Sequence, residues 1–162
     1  MRMYRWDWQL GGLLLLALTA CTQPQSPVST NGSTAMSTVV TLTQTGCQFL
    51  ETEVKDHQFS TQSAKDCEVI NTKTLNDRRA TFKPLKLKAG DYVFRVTNKN
   101  VPYELGFYLR GEGLGQATLP KVSGGGLTMG VSQEYRITLK PGKYVFSCPL
   151  NPTPDYPVEV EA

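Results

Sequence analysis

Short runs of alternating apolar and polar residues, each closed by Gly, Pro or Asn, dominate the second half of this 162-residue sequence. Neighbouring side chains of a β-strand point to opposite faces, so this pattern predicts half-buried strands. A Pro-Gly pair at Pro141–Gly142 marks a tight turn between two such runs. Six or more short strands at regular spacing predict an all-β, antiparallel β-sandwich. The predicted strands are 39–43, 83–87, 92–97, 103–109, 134–139, 144–148 and 157–160.

Two stretches of the sequence lack this alternation. Gln48–Asn76 is polar and only weakly periodic, which predicts a loop with one short helix. Ser123–Gly126 contains three consecutive glycines and is interpreted as a flexible loop at the rim of the sandwich.

The N-terminal segment has the pattern of an export signal. Arg2 and Arg5 precede an apolar stretch, Leu10–Leu18, which is far shorter than the roughly 20 residues that span a bilayer. The segment is therefore interpreted as a cleaved leader. Its last residues, Leu-Thr-Ala followed by Cys21, resemble the lipobox of bacterial lipoproteins, in which the cysteine is lipidated. The resemblance implies that residues 1–20 are a signal peptide and that acyl chains on Cys21 hold the protein on the lipid bilayer.

Residues 21–38 separate this segment from the first predicted strand. They are rich in Ser, Thr, Gln and Pro and contain no charged or aromatic residue, so they cannot bury enough apolar surface to order themselves. We expect a flexible tether there and a folded domain over 39–162. Within that domain, 39–80 holds the N-terminal strand and the polar segment, and 81–162 holds the remaining strands.

Charge and motif content exclude two classes of function. A formal net charge of +3 is too small for a protein whose main partner is nucleic acid. One histidine, and no G-x-S-x-G or H-E-x-x-H pattern, argue against an enzyme. The charged runs are expected to face solvent. They are Glu51, Glu53, Arg78, Arg79, Lys83, Lys86, Lys88, Glu159 and Glu161.

Three motifs between Leu85 and Val160 resemble the cupredoxin family. Leu87–Asn98 is similar to the family's strand that ends in Asn, and Val101–Leu105 stands where the family has Pro-His-Glu-Phe. Leu139–Pro152 contains Pro-Gly-Lys-Tyr-Val-Phe-Ser-Cys-Pro-Leu-Asn-Pro, which is similar to the family's PGxYxFxCPxHP. The resemblance implies a Greek-key β-sandwich and electron transfer at a copper ion held by two histidines, a cysteine and usually an axial methionine.

Only one of these four ligands is present when the family pattern is carried onto this sequence. Cys148 matches the cysteine, but Tyr103 and Asn151 occupy the two histidine positions. Pro154 and Asp155 stand where the methionine would lie. Because a phenol and a carboxamide offer no imidazole nitrogen, we expect no standard copper site and no bound cofactor.

An atypical copper site is the alternative. It would combine Cys148 with His57, the only histidine, and with Met129, which lies in a glycine-flanked loop. Otherwise His57 is a solvated loop residue and Cys148 a small buried apolar side chain.

The number of cysteines bears on whether the domain lies in an oxidising compartment, where disulfides persist. Besides Cys21, three cysteines remain, Cys47, Cys67 and Cys148, and three pairings are open. We favour Cys47–Cys67, because this disulfide would close a polar loop that has little core of its own. Such a bond requires an oxidising compartment, in agreement with an exported protein.

These observations lead to two expectations for function. The first is a metal-free, lipid-anchored cupredoxin-like domain that faces the periplasm or an equivalent lumenal space and binds a membrane-associated protein. The second is an electron-transfer protein or copper carrier with an atypical site. In the family, one end of the sandwich receives the redox partner. The matching positions here are Pro102, Tyr103, Pro149, Leu150, Pro152 and Tyr156. The stretch Asn151–Pro157 also resembles lipoproteins of cyanobacteria.

Overall fold

The computed structural model describes residues 37–53 and 55–162. The predicted leader, Cys21 and almost all of the predicted tether lie outside the described residues. The strands are β1 (Thr38–Thr45), β2 (Gln48–Phe49), β3 (Leu85–Lys88), β4 (Gly90–Asn98), β5 (Leu105–Gly111), β6 (Val122–Leu127), β7 (Ser132–Leu139), β8 (Gly142–Ser147) and β9 (Tyr156–Glu161). An α-helix, α1 (Ala64–Arg79), lies between β2 and β3, and a short 3-10 helix, η1 (Gly113–Ala117), follows β5.

The strands form two sheets. One has the order β2-β1-β4-β7 and the other the order β3-β9-β8-β5-β6. Consecutive strands repeatedly change sheet, as β3, β4 and β5 do, so the chain has Greek-key connections and the predicted all-β sandwich is confirmed. Two pairs, β1 with β4 and β3 with β9, are parallel. Alternation of side chains is the same in parallel and antiparallel strands, so the sequence pattern did not reveal these pairs.

Aromatic side chains on the inner faces of the sheets fill the core. Phe49 packs edge-to-face on Phe146, with ring centroids 4.9 Å apart, and Phe94 stacks on Phe107 at 5.6 Å. All four side chains are essentially inaccessible to solvent. Truncating one such ring to alanine removes about 3–5 kcal/mol of stability in typical cores, so these contacts hold the two sheets together.

Helix α1 is longer than the predicted short helix, at 16 residues. It begins at Ser63, where the Asp66 carboxylate accepts hydrogen bonds from the backbone N–H groups of Gln62 and Ser63 at 2.8 and 2.9 Å. These backbone bonds lower the pKa of Asp66. Only Cys67 and Arg78 of the helix are buried. The helix therefore has no broad buried apolar face, and polar bonds such as the one from Asn71 Nδ2 to the Pro152 carbonyl also attach it to the sandwich.

The glycine run predicted as a rim loop is part of strand β6 instead. This strand pairs with β5, and Gly124 lies opposite Phe107. A Cβ atom on Gly124 would lie 2.9 Å from the ring of Tyr135. Glycine is therefore needed at position 124 because a larger residue would collide with the Tyr135 ring, and the glycine run does not prevent β6 from pairing with β5.

The direction of β1 defines the two ends of the sandwich. Thr38 is the register partner of Tyr92 and Gln44 that of Asn98, at opposite ends of β4. We call the end with 37–38, 111–121 and 139–143 the entry end. The opposite end, with 45–47, 98–103 and 148–155, is called the ligand end, because it contains the positions at which the sequence resemblance would place copper ligands. Within the described part of the chain, no helix has both the length and the apolar character that a bilayer crossing requires.

Candidate functional site

The loop that carries Tyr103 is shaped by the buried side chain of Asn98. Its Nδ2 group donates hydrogen bonds to the carbonyl oxygens of Val101 and Leu127, both at 3.0 Å. Its Oδ1 atom accepts a bond from the Val101 N–H at 2.9 Å. Because these bonds fix the turn after β4, they determine where Tyr103 lies.

Tyr103 and Asn151, the two residues predicted from the sequence to replace the histidines of a copper site, are bonded to each other. The Tyr103 hydroxyl donates to Asn151 Oδ1 at 2.7 Å and lies 3.3 Å from the Thr61 hydroxyl. Asn151 Nδ2 in turn donates to the Thr45 carbonyl at 3.1 Å, and Asn151 is completely buried. Burial raises the pKa of Tyr103, so its hydroxyl keeps its proton at neutral pH.

The Cys47–Cys67 disulfide closes this site from the side of helix α1. The bond is present, as predicted, and both cysteines are completely buried. The Cys67 sulfur lies 3.0 Å from Asn151 Oδ1 and 3.8 Å from the Tyr103 hydroxyl. We refer to Cys47, Cys67, Tyr103 and Asn151 as the disulfide cluster. The side-chain amide of Asn151 is therefore enclosed by protein atoms, with Tyr103 and Cys67 at its oxygen and the Thr45 carbonyl at its nitrogen.

Cys148 is a buried free thiol. Its sulfur accepts a hydrogen bond from the Gly106 N–H at 3.2 Å, and its own N–H donates to the Thr153 hydroxyl at 2.8 Å. Burial raises the pKa of this thiol, which keeps it protonated at neutral pH. Because the thiolate is the reactive form of cysteine, the free Cys148 thiol is a weak nucleophile at neutral pH.

The structure does not assemble the alternative copper ligands around Cys148. His57 Nε2 lies 2.9 Å from Glu53 Oε2, and the His57 ring stacks on Phe59 at 5.2 Å. Met129 is 61% exposed in the turn between β6 and β7. Over residues 37–53 and 55–162, no group of three or more His, Cys, Asp and Glu side chains could hold a metal ion. His57 is also not the solvated residue that was expected, since its imidazole contacts the Glu53 carboxylate and is only 18% exposed.

A buried charged cluster lies beneath helix α1. Arg78 donates to both carboxylate oxygens of Glu53, through Nε at 3.0 Å and through Nη2. The Tyr156 hydroxyl donates to the same carboxylate. Further bonds run from Arg78 to the Cys47 carbonyl at 2.9 Å and to Asn71 Oδ1 at 2.8 Å. The expectation that Glu53 and Arg78 face solvent is therefore wrong, because each supplies the charge that lets the other be buried.

This cluster was missed because its members are far apart in sequence and unremarkable in type. Glu53 and Tyr156 are separated by 103 positions. One local signal was available for the helix that carries Arg78, namely Ser63 followed three residues later by Asp66, a pattern that precedes many helices. Nothing in the sequence indicates that Arg78 points inward while Arg79 stays exposed.

The predicted partner surface is largely accessible, with one correction. Pro102, Pro149 and Leu150 are exposed at the ligand end, and Leu150 covers Gly106 and Gly125. Pro152 and Tyr103 are partly buried. Tyr156 is completely buried among Phe49, Phe82 and Phe146. It cannot contact a partner, because its ring faces the core and its hydroxyl is bonded to Glu53.

A polar groove of about 500 Å³ adjoins this surface. It lies between the irregular segment 56–62 and the loop 99–102, with Thr45 and Gly46 also lining it. Most of the polar side chains in its walls are hydroxyls and amides, together with one carboxylate, Asp56, and one lysine, Lys99. The ligand end therefore combines an exposed apolar strip, Pro102, Pro149 and Leu150, with a polar groove beside it.

Comparison with solved structures finds three chains that match, whereas the two sequence comparisons find none. No family model and no curated protein matches the chain. Among solved structures, an oxidised point mutant of amicyanin is 24% identical, covers 48% of this chain and 69% of that chain, and superposes with a TM-score of 0.33. The assignment of the sandwich rests on the strand pairings of this chain.

Proposed function

We propose that this protein is a lipid-anchored, cupredoxin-like module that has exchanged its copper site for a structural cluster and binds a protein partner at a membrane surface. The observation that carries the proposal is the direct hydrogen bond between Tyr103 and Asn151. The two positions that would present imidazoles to copper instead satisfy each other, and the disulfide closes them off.

The donor chemistry of the site argues against copper. Soft thiolate and imidazole ligands are what hold copper in blue sites. Here the phenol of Tyr103 is protonated, the Asn151 amide is already bonded to two partners, and the Cys148 thiol is protonated because it is buried. Binding a metal would require breaking these bonds and deprotonating two groups with raised pKa values.

The remaining features of the ligand end suit a protein partner. Leu150 is 45% exposed and follows Pro149, which is also exposed, while Pro102 lines the polar groove. Rigid apolar residues next to polar groups that can form hydrogen bonds are typical of the centres of protein interfaces. The core below is densely packed, so the surface is presented without a large cost of ordering on binding.

Anchoring through Cys21 is the second part of the proposal. It is supported by the lipobox-like sequence at 18–21 and by the Cys47–Cys67 disulfide, which is the kind of bond that persists outside the cytoplasm. The periplasm, or an equivalent lumenal space, is the compartment that fits both features.

A copper titration of the purified protein tests the metal-free part. We expect no thiolate-to-copper charge-transfer absorption on addition of Cu(II), and metal analysis of protein from its own host should find no stoichiometric copper. The matched control is Cys148→Ser. An absorption band that forms with the unaltered protein and is lost in this variant would establish the alternative, an atypical copper site on Cys148.

Membrane fractionation tests the anchor. The unaltered protein should partition with membranes and incorporate labelled fatty acid, whereas Cys21→Ser should be found in the soluble fraction. An equal membrane share for both proteins would contradict anchoring through Cys21. This assay does not depend on the metal, so the two parts of the proposal fail separately.

A further inference from the structure

The entry end of the sandwich carries an exposed leucine beside the point where the chain enters the domain. Thr38, the first residue of β1, pairs with Tyr92 at this end. Gly111 pairs with Tyr144 at the start of β8, and the Glu112 N–H donates to the Lys143 carbonyl at 2.9 Å. The loop that follows Gly111, including η1, is therefore at the same end as Thr38.

Leu114 is the most exposed large apolar side chain of the described residues, at 96%. It lies in η1 between Gly113 and Gly115. This loop has internal hydrogen bonds, from the Gly115 N–H to the Glu112 carbonyl and from the Leu119 N–H to the Gly115 carbonyl, both at 2.9 Å. Leu119 covers Gly115 and Gly142. The loop is thus fixed on the sandwich, and Leu114 projects from a defined support.

Three lysines lie in the same loop as this leucine or in the turn next to it. Lys121 ends the loop, and Lys140 and Lys143 flank the adjoining turn between β7 and β8, all three being exposed. Glu112 is the one acidic residue of these two segments, so they carry three positive charges against one negative, or +2. On the other side of this end, Lys88 and Glu161 are register partners and contribute no net charge, and the exposed Asp91 lowers the net charge of the end to +1.

We infer that this surface, Leu114 with Lys121, Lys140 and Lys143, rests on the bilayer that holds the lipid anchor. The inference depends on the proposed anchoring through Cys21. A single exposed leucine has no meaning by itself. Here, however, fifteen residues separate Cys21 from Ser37, and the chain enters the domain at this end. An exposed apolar side chain with lysines in its own loop and in the adjoining turn matches the boundary between acyl chains and anionic headgroups.

This contact would orient the domain. β1 has eight residues and a strand rises about 3.3 Å per residue, so the ligand end lies roughly 25 Å from the entry end. The apolar strip and the polar groove would then face away from the bilayer. The partner at the ligand end would be a protein domain in the aqueous space rather than the lipid surface.

Site-specific fluorescence on the lipidated protein tests the contact. The full exported protein is reconstituted into vesicles of phosphatidylcholine and phosphatidylglycerol. A fluorophore is attached at Leu114→Cys and, as the matched control, at Leu150→Cys on the opposite end. Cys148 does not interfere, because it is buried. Spin-labelled lipids then quench whichever fluorophore lies at the bilayer.

The expected result is quenching at position 114 that exceeds quenching at position 150 by at least about threefold. Adding Lys140→Gln and Lys143→Gln to the 114 variant should reduce its quenching in these anionic vesicles. Equal quenching at the two positions, in protein that floats with the vesicles, overturns the orientation and leaves the anchor intact. Protein that does not float overturns the anchor, and the inference falls with it.

Discussion

Replacing Arg78 with methionine should sharply destabilise the protein. The Arg78 guanidinium is 2% exposed and the Glu53 carboxylate is completely buried. Methionine retains much of the length of the arginine stem but removes the charge. Glu53 would keep its bonds to Tyr156 and His57 but lose the fixed cation that faces both of its oxygens.

The magnitude follows from the burial and from the number of groups left without a partner. Removing one member of a buried ion pair costs about 3–5 kcal/mol, mainly because the other charge stays buried without compensation. Cys47 O and Asn71 Oδ1 also lose a donor. A loss of about 4 kcal/mol is a large share of the 5–15 kcal/mol that is typical for a domain. For a domain of this size, it corresponds to a fall in Tm of roughly 10–20 °C.

Urea unfolding followed by circular dichroism measures this loss, with Arg136→Met as the matched control. Arg136 pairs with Glu134, but its side chain is 70% exposed, so its removal should change the stability by no more than about 0.5 kcal/mol. A double variant, Arg78→Met with Glu53→Gln, should lose less than the sum of the two single variants. A loss below about 1 kcal/mol for Arg78→Met would refute the argument that the pair is buried and coupled.

Three further predictions concern the ligand end and the titrating core. Replacing Cys47 and Cys67 by alanine should lower the free energy of unfolding by roughly 3 kcal/mol, because the disulfide closes a loop with a sequence separation of 20. Denaturation of the unaltered protein with and without a reductant should give the same difference. Tyr103→Phe keeps the ring but loses the bond to Asn151, and should cost about 1 kcal/mol, whereas an unchanged urea midpoint would mean that this hydrogen bond contributes nothing. Burial raises the pKa of Tyr135 to about 12 and that of Cys148 above its ordinary 9.0. These two neutral groups therefore stabilise the folded state fully below pH 9, and this stabilisation is lost as the pH rises toward 12, because the phenol and the thiol ionise at lower pH in the unfolded chain. The free energy of unfolding should therefore be smaller at pH 11 than at pH 8. A free energy that does not change between these two pH values would contradict the prediction.

The sandwich was predictable because its information is local. A strand with one face in the core must alternate, as Tyr92, Phe94 and Val96 do in β4, and this periodicity is visible in the sequence. The Cys47–Cys67 bond was predictable for a similar reason, since a polar loop with little core gains most from a cross-link. Tyr103 and Asn151 could also be selected from the sequence motifs alone, although the motifs did not show that the two side chains are in contact.

Tertiary structure decided what these residues do. Only the fold brings Tyr103, Asn151 and Cys67 into contact, over separations of 48 and 84 residues. Helix α1 has no apolar face to reveal it, because it is held by Cys67 and Arg78. The burial of Glu53 likewise depends on Arg78 and Tyr156 arriving from distant parts of the chain. Charged residues are buried when a partner is near, and that proximity is a property of the folded chain, not of any local pattern.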